Sequence, residues 1–185
     1  MPAFFMRNIN KRVMFMFKCK IATINEVLKK WDYEIKRHPN DDRWLIWKET
    51  AISNVKAGNR ICFHGVFDGD VIVETTAIIK SEDSGLENKD FVSENGAYLE
   101  AFRVKKEFEG QGYFSKVYRF MEEYLSGLGI KKLIIGVEPT EERNRQIYFY
   151  LGFTNFLQRK IETYPPKREG ESPEDIIVDY YFKEI

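Results

Sequence analysis

Apolar and polar positions along the chain alternate between two periods. Residues 13–20 are rich in Phe and Met and read as a strand. Thr23-Ile24-Asn25-Glu26 matches a capping box, in which a Thr hydroxyl and a Glu carboxylate satisfy the first free amides of a helix. Ile24, Val27, Leu28, Trp31 and Ile35 follow at helical spacing until His38-Pro39 ends the run. Asp41 or Asp42 is placed to cap a second helix over 43–57, stopped by Gly58. Two strand-like runs, 61–67 and 71–79, flank Asp68-Gly69, a hairpin signal. The polar, acidic stretch 81–96 reads as a mobile loop, and 97–104 as a further strand.

The second half continues in the same way. Residues 113–128 carry Phe114, Val117, Phe120, Met121 and Tyr124 on one helical face, with Gly127 and Gly129 as stops. Residues 133–137 are continuously apolar, as in a strand buried on both faces. Pro139-Thr140 opens a last helix with Glu141 and Glu142 in its first turn, and Leu151-Gly152-Phe153 closes it. Strands over 155–163 and 176–182 follow, joined by a loop with three prolines and six charges over 164–175. The order β-α-α-β-β-β-α-β-α-β-β predicts an α/β (α+β) domain with a mixed, mostly antiparallel central sheet flanked by helices. One strand-helix-strand unit implies one parallel pair.

The stretch from Val104 to Ser115 bears chemistry. Gly110-Gln111-Gly112 stands between a strand and a helix, where free amides and the positive end of the helix dipole form a site for an anion such as a phosphate. By pattern alone, Gly-x-Gly there also fits an ordinary tight turn.

Taken together, these features resemble the GNAT family of acyl-CoA-dependent N-acetyltransferases. The element order covers nearly the whole chain. Val104 through Ser115 resembles the family's pyrophosphate loop, with Glu109 where Arg or Gln is usual and Phe114 where Gly or Ala is usual. Val137-Glu138-Pro139, Arg143, Tyr148 and Leu151-Gly152-Phe153 resemble its closing segment.

The resemblance implies one domain over 1–185 that binds acetyl-CoA as acyl donor and moves the acetyl group to a primary amine of a small molecule or peptide. The amine attacks the thioester directly, in a ternary complex. It implies Tyr148 as the acid that protonates the leaving thiolate, and Glu100 as the base that takes the amine's proton. Backbone near Phe102, Arg103 and Val104 would run beside the pantetheine arm and meet the oxyanion. Glu109, Gly110, Gln111, Gly112, Tyr113, Phe114 and Ser115 would hold the diphosphate, with Lys105 or Lys116 adding charge. A phenol holds its proton at neutral pH, and burial beside aromatic rings would raise the Glu100 pKa. Trp31, Trp44, Trp47 and Tyr164 fall where the family builds its acceptor pocket. Three alternatives stay open: transfer of a longer acyl group, an aminoglycoside-like antibiotic as acceptor, and a CoA-binding sensor without turnover, which Glu109 and Phe114 motivate. No metal is expected.

Composition narrows the classes. The chain has 185 residues, 43% hydrophobic and 15% aromatic, enough for one substantial core. Its formal net charge of zero and lack of a basic stripe argue against a nucleic-acid or membrane partner. Cys19 and Cys62 lie in apolar runs and read as buried structural thiols. The stretch 1–17 mixes basic and apolar residues without a small-residue cleavage site, so we expect a cytoplasmic protein rather than an exported one. The edge of the late hairpin and Tyr180-Tyr181-Phe182 are compatible with a homodimer.

Overall fold

A computed structural model describes residues 16–86 and 89–185. Residues 13–15 of the expected first strand, the N-terminal stretch weighed as an export signal up to residue 15, and Glu87 of the acidic stretch lie outside the described residues. The elements are β1 (Phe17–Ile21), α1 (Ile24–Arg37), α2 (Arg43–Ala57), β2 (Arg60–Phe67), β3 (Asp70–Ile78), β4 (Gly96–Val104), α3 (Tyr113–Gly127), β5 (Lys132–Val137), α4 (Glu142–Tyr150), β6 (Asn155–Tyr164) and β7 (Glu174–Glu184). Short 3₁₀ turns occupy Ser84–Leu86 and Lys106–Phe108.

Local signals explain most boundaries. Both halves of the capping box form: the Glu26 amide donates to Thr23 Oγ1, and the Thr23 amide donates to Glu26 Oε2 at 2.8 Å. At α2 the work falls to Asp41, which accepts the Arg43 amide at 3.2 Å and its guanidinium at 2.8 and 2.6 Å. Asp42, at the N-cap position itself, makes no side-chain cap bond. Gly58 ends α2 at φ 74°. Asp68 and Gly69 both take positive φ, 50° and 87°, as a two-residue hairpin turn demands.

Seven strands form one sheet in the order β1-β2-β3-β4-β5-β7-β6. Every neighbouring pair is antiparallel except β4 and β5. On one face α3 and α4 cover the main core, built on Phe63, Ile72, Leu99, Val117, Met121, Leu125, Leu133 and Phe153. Here α3 sits tight on the sheet: a Cβ added at Gly65 would lie 2.7 Å from Val117 Cγ2 and 2.8 Å from the Phe17 ring. A smaller cluster of Ile134, Val178 and Tyr180 occupies the opposite face. Thus β5 is apolar on both sides, Leu133 and Ile135 serving one core and Ile134 the other.

The rest of that second face lies beneath α1 and α2 and is polar. Cross-strand register sets Lys20, His64, Glu74 and Arg103 side by side across four strands. From α1, Lys30 bridges Glu34 and reaches Glu74 at 2.7 Å. His64 is completely buried, and neither ring nitrogen has a hydrogen-bond partner among the described residues. Burial lowers its pKa, and the nearby Glu74 and Glu26 only partly offset this.

A neutral buried imidazole makes the unfolded chain the better proton acceptor in acid. Its contribution is therefore intact above the unfolded His pKa of about 6.5 and is lost as pH falls below it. We expect urea melts of the wild type to lose stability from about pH 6.5 to pH 5, and a His64→Leu variant to show a flatter profile over that window. An identical slope in both proteins would remove His64 from the account.

Candidate active site

The site is organised by a defect in β4. The parallel ladder pairs Gly96 with Lys132 and continues to Leu99 with Ile135, where it ends. Beyond Leu99 the strands separate, and the side of β4 that faced β5 loses its ladder partner. On the other side, β4 advances three residues, from Glu100 to Arg103, while β3 moves two, from Thr76 to Glu74. The extra residue makes a β-bulge. Ala101 there takes φ 57°, a conformation that costs a non-glycine residue about 1 kcal/mol or more. The bulge resets the alternation. Glu100, Ala101 and Arg103 all line a cavity on the α1/α2 face, while Phe102 and Val104 pack on the α3/α4 face.

After β4 the chain makes the 3₁₀ turn and then reverses through Gly110 (φ 72°) and Gly112 (φ 78°), the N-cap of α3. A Cβ at either glycine would meet nothing within 4 Å, so backbone conformation, not crowding, calls for glycine. Among the described residues, no carbonyl or side chain accepts from the amides of Gly110 to Ser115. The first amide engaged is that of Lys116, which donates to Gly112 O at 3.3 Å. Six consecutive free donors at the positive end of a 15-residue helix suit an anion, so the residues present fit the diphosphate of a CoA thioester.

Side chains leave that cradle open. The Phe114 ring turns inward, edge-on to Phe102 at 5.3 Å and close to Tyr118. The Glu109 carboxylate turns to Arg143 of α4 at 3.2 Å. The Tyr113 ring packs among Phe17, Phe67 and Phe108. Gln111 Nε2 donates to Glu107 O at 2.8 Å and braces the turn. Lys116 Nζ lies over the Phe17 and Tyr113 rings, and Lys105 is 3.7 Å from Asp70.

The cavity has a volume of about 700 Å³. Trp31 of α1, Trp47 of α2 and Tyr164 of β6 form walls, over Arg60, Cys62, Thr76 and Tyr98 of the sheet. Trp44 does not line it; its ring stacks on His38 at 4.1 Å. Glu100 faces the cavity with its side chain 34% exposed, and its carboxylate accepts from Arg60 Nη1 at 2.7 Å. The partner of the Glu100 carboxylate is thus a guanidinium.

Arg60 is itself held from behind. Its Nε and Nη2 donate to the two oxygens of Asp83, each at 2.9 Å, and Asp83 also accepts the Gly85 amide at 2.7 Å. Burial disfavours the Arg60 charge, but Glu100 and Asp83 outweigh it and raise the pKa. Asp83 is therefore a buried anchor and not the solvated loop residue its acidic surroundings suggest. A Cβ at Gly85 would lie 2.7 Å from Arg60 Nη2, so the clasp depends on glycine there. Deeper in the wall Lys89 bridges Glu162 at 3.0 Å, and Glu162 accepts the Tyr180 hydroxyl. Burial pushes the Cys62 thiol up to about 12, so it stays an unreactive thiol, taking a bond from Thr76 at 3.5 Å.

Tyr148 lies across β4 from the cavity. Its ring packs edge-on to Phe102 at 5.7 Å, and no hydrogen bond occupies its hydroxyl among the described residues. Burial, with Glu141 nearby, pushes its pKa up to about 12, so the phenol keeps its proton at neutral pH. Tyr98, inside the cavity, is pushed up by burial and by Glu100, Glu162, Tyr164 and Tyr148. Donor loop and Tyr148 belong to one face, cavity and Glu100 to the other.

The sequence reading missed Arg60, Asp83, Glu74, Tyr98 and Glu162 as wall or support residues. A signal existed for some of them. Arg60, Cys62 and His64 alternate along β2, as do Glu74 and Thr76 along β3, marking one polar face on inner strands that helices cover. Asp83 gave no such sign.

The model of the acetyltransferase (GNAT) family matches residues 21–153. Among solved structures, the chain resembles the ribosomal-protein-S18-alanine N-acetyltransferase of Escherichia coli, with a TM-score of 0.62 at 13% identity, covering 92% of this chain and 94% of that one. An IAA acetyltransferase of Bacillus cereus gives a TM-score of 0.61 at 13% identity, over 92% and 100% of the two chains. A PaiA N-acetyltransferase of Thermoplasma acidophilum, solved with coenzyme A, gives 0.56 at 13% identity, over 92% and 99%. No curated protein matches the sequence. At these identities the neighbours establish the fold, and the family model carries the assignment: the chain belongs to the GNAT acetyltransferase family and is an acyltransferase.

Proposed function

We propose that the protein transfers an acetyl group from acetyl-CoA to the primary amine of a small molecule or peptide, by direct attack within a ternary complex. The observation that carries this reading is the row of unclaimed amides from Gly110 to Ser115, set beside a strand that parts from its neighbour and opens onto a cavity. Bound there, acetyl-CoA supplies the activated acetyl group. The amides of residues 110–115 hold its diphosphate, and the open edge of β4 near Phe102, Arg103 and Val104 runs beside the pantetheine and offers a donor to the oxyanion.

Glu100 accepts an N–H of the incoming amine and takes its proton, directly or through water. The clasp by Arg60 fixes the carboxylate's position, which matters as much as basicity for a reaction that depends on alignment. The N–C bond forms first and places the carbonyl electron pair on the oxyanion; its collapse breaks the C–S bond, and Tyr148 gives its proton to the leaving thiolate. Its raised pKa keeps that proton available across the neutral range.

Three measurements test this. Acetyl-CoA at a hundredfold excess over its Kd is expected to stabilise the fold by about 2.7 kcal/mol; an unchanged melting temperature at millimolar ligand contradicts CoA binding. Gly112→Val, which strains φ 78° and disturbs the cradle, is expected to weaken acetyl-CoA at least about tenfold by calorimetry while the circular dichroism spectrum stays native. Tyr148→Phe is expected to lower kcat by about a hundredfold with the acetyl-CoA Kd within about twofold of wild type; full turnover in that variant excludes Tyr148 as the acid.

A further inference from the structure

We propose that the acceptor carries a carboxylate as well as its amine, that Arg103 binds this carboxylate, and that the substrate class is an amino acid with an apolar side chain. This rests on the transfer reading above and adds to it the identity of the second substrate.

The bulge at Ala101 puts Glu100 and Arg103 onto the same cavity, three residues apart on one strand. The other cavity cations are engaged: Arg60 by Asp83 and Glu100, Lys89 by Glu162, and Lys160 by Asp90 at 2.7 Å. Arg103 differs. Its side chain is 35% exposed and makes no hydrogen bond among the described residues. The carboxylates facing it, Glu34 and Glu74, are 4.0 Å away, and both are bridged by Lys30. The guanidinium carbon lies 5.0 Å from the centre of the Trp44 ring. The guanidinium thus sits over an aromatic ring without a bidentate partner of its own, and its fork suits a planar, two-oxygen acceptor.

The charge pattern agrees. Four cations line the cavity, Arg60, Lys89, Arg103 and Lys160, beside three carboxylates, Glu74, Glu100 and Glu162. A polyamine or an aminoglycoside-like molecule would bring several positive charges to carboxylates that Arg60, Lys89 and Lys30 already neutralise. A molecule with one charge of each sign matches walls of both signs. Trp31 and Trp47 provide the apolar surface for its side chain.

The test pairs each amino acid with its decarboxylated amine: L-tryptophan with tryptamine, L-phenylalanine with phenethylamine, L-leucine with isoamylamine. Transfer is followed as free thiol released from acetyl-CoA, and binding by calorimetry on the CoA-saturated enzyme. We expect kcat/KM to favour at least one amino acid over its amine by about tenfold or more. That ratio should collapse towards one in Arg103→Gln and take an intermediate value in Arg103→Lys, which keeps the charge but not the fork. Transfer to the amines as fast as to the amino acids, or an unchanged ratio in Arg103→Gln, overturns the inference while leaving the transferase intact. If no amine is consumed, amino-acid binding that Arg103→Gln abolishes upholds the carboxylate site and removes the transfer reading instead. Absence of amino-acid binding in the wild type overturns it outright.

Discussion

Everything at this site follows from the parting of two parallel strands. A continuous ladder would seal the sheet and separate its faces completely. Here pairing between β4 and β5 stops at Leu99 and Ile135, and the strand that leaves carries a bulge. The 110–112 turn and Tyr148 belong to the α3/α4 side, the cavity to the α1/α2 side. Reaction between ligands held on opposite faces needs a passage through the sheet, and the only cheap place for one is where main-chain hydrogen bonds have already been given up. The positive φ of Ala101 is the local cost of turning Glu100 and Arg103 towards the same space.

The second theme is charge kept in place by charge. On the α1/α2 face, ionic groups stand where a sheet normally presents apolar side chains. Arg60 joins Asp83 to Glu100, and Lys30 joins Glu34 to Glu74. Buried pairs of this kind add little net stability compared with a well-packed apolar core. Their value is positional: a carboxylate fixed by a bidentate-held guanidinium has few alternative rotamers. The interval between β3 and β4, which looks like solvated loop by composition, is tied into this arrangement through Asp83 and Gly85.

Most of the architecture was legible because its signals are local. The capping box at Thr23, the turn at Asp68-Gly69, the glycine stop at Gly58 and the apolar run of β5 each act over a few residues, and each is where the pattern places it. The turn before α3 was legible for the same reason, since two glycines before an amphipathic helix specify a backbone path. The cavity was not. It gathers side chains from both early helices, three central strands and the late hairpin, and no short window of sequence contains two of its opposing walls. The role of Asp83 was hidden because an acidic residue among acidic residues carries no mark of burial; only its partner Arg60, 23 positions earlier, reveals it. The choice between Asp41 and Asp42 turned on backbone angles at a single junction, which residue type alone does not decide.

Gly65 has a consequence that reaches beyond its strand. It lets Val117 and the Phe17 ring settle against bare backbone, and Val117 stands five residues beyond Gly112, at the second turn of the same helix whose leading amides are free. A methyl group there would act as a wedge, tilting the helix away from the sheet and swinging its whole leading end as a lever swings its tip. Natural or laboratory variants there would therefore reposition the free amides at the head of α3 from a point that never touches them, trading a little core density for a graded change in their aim.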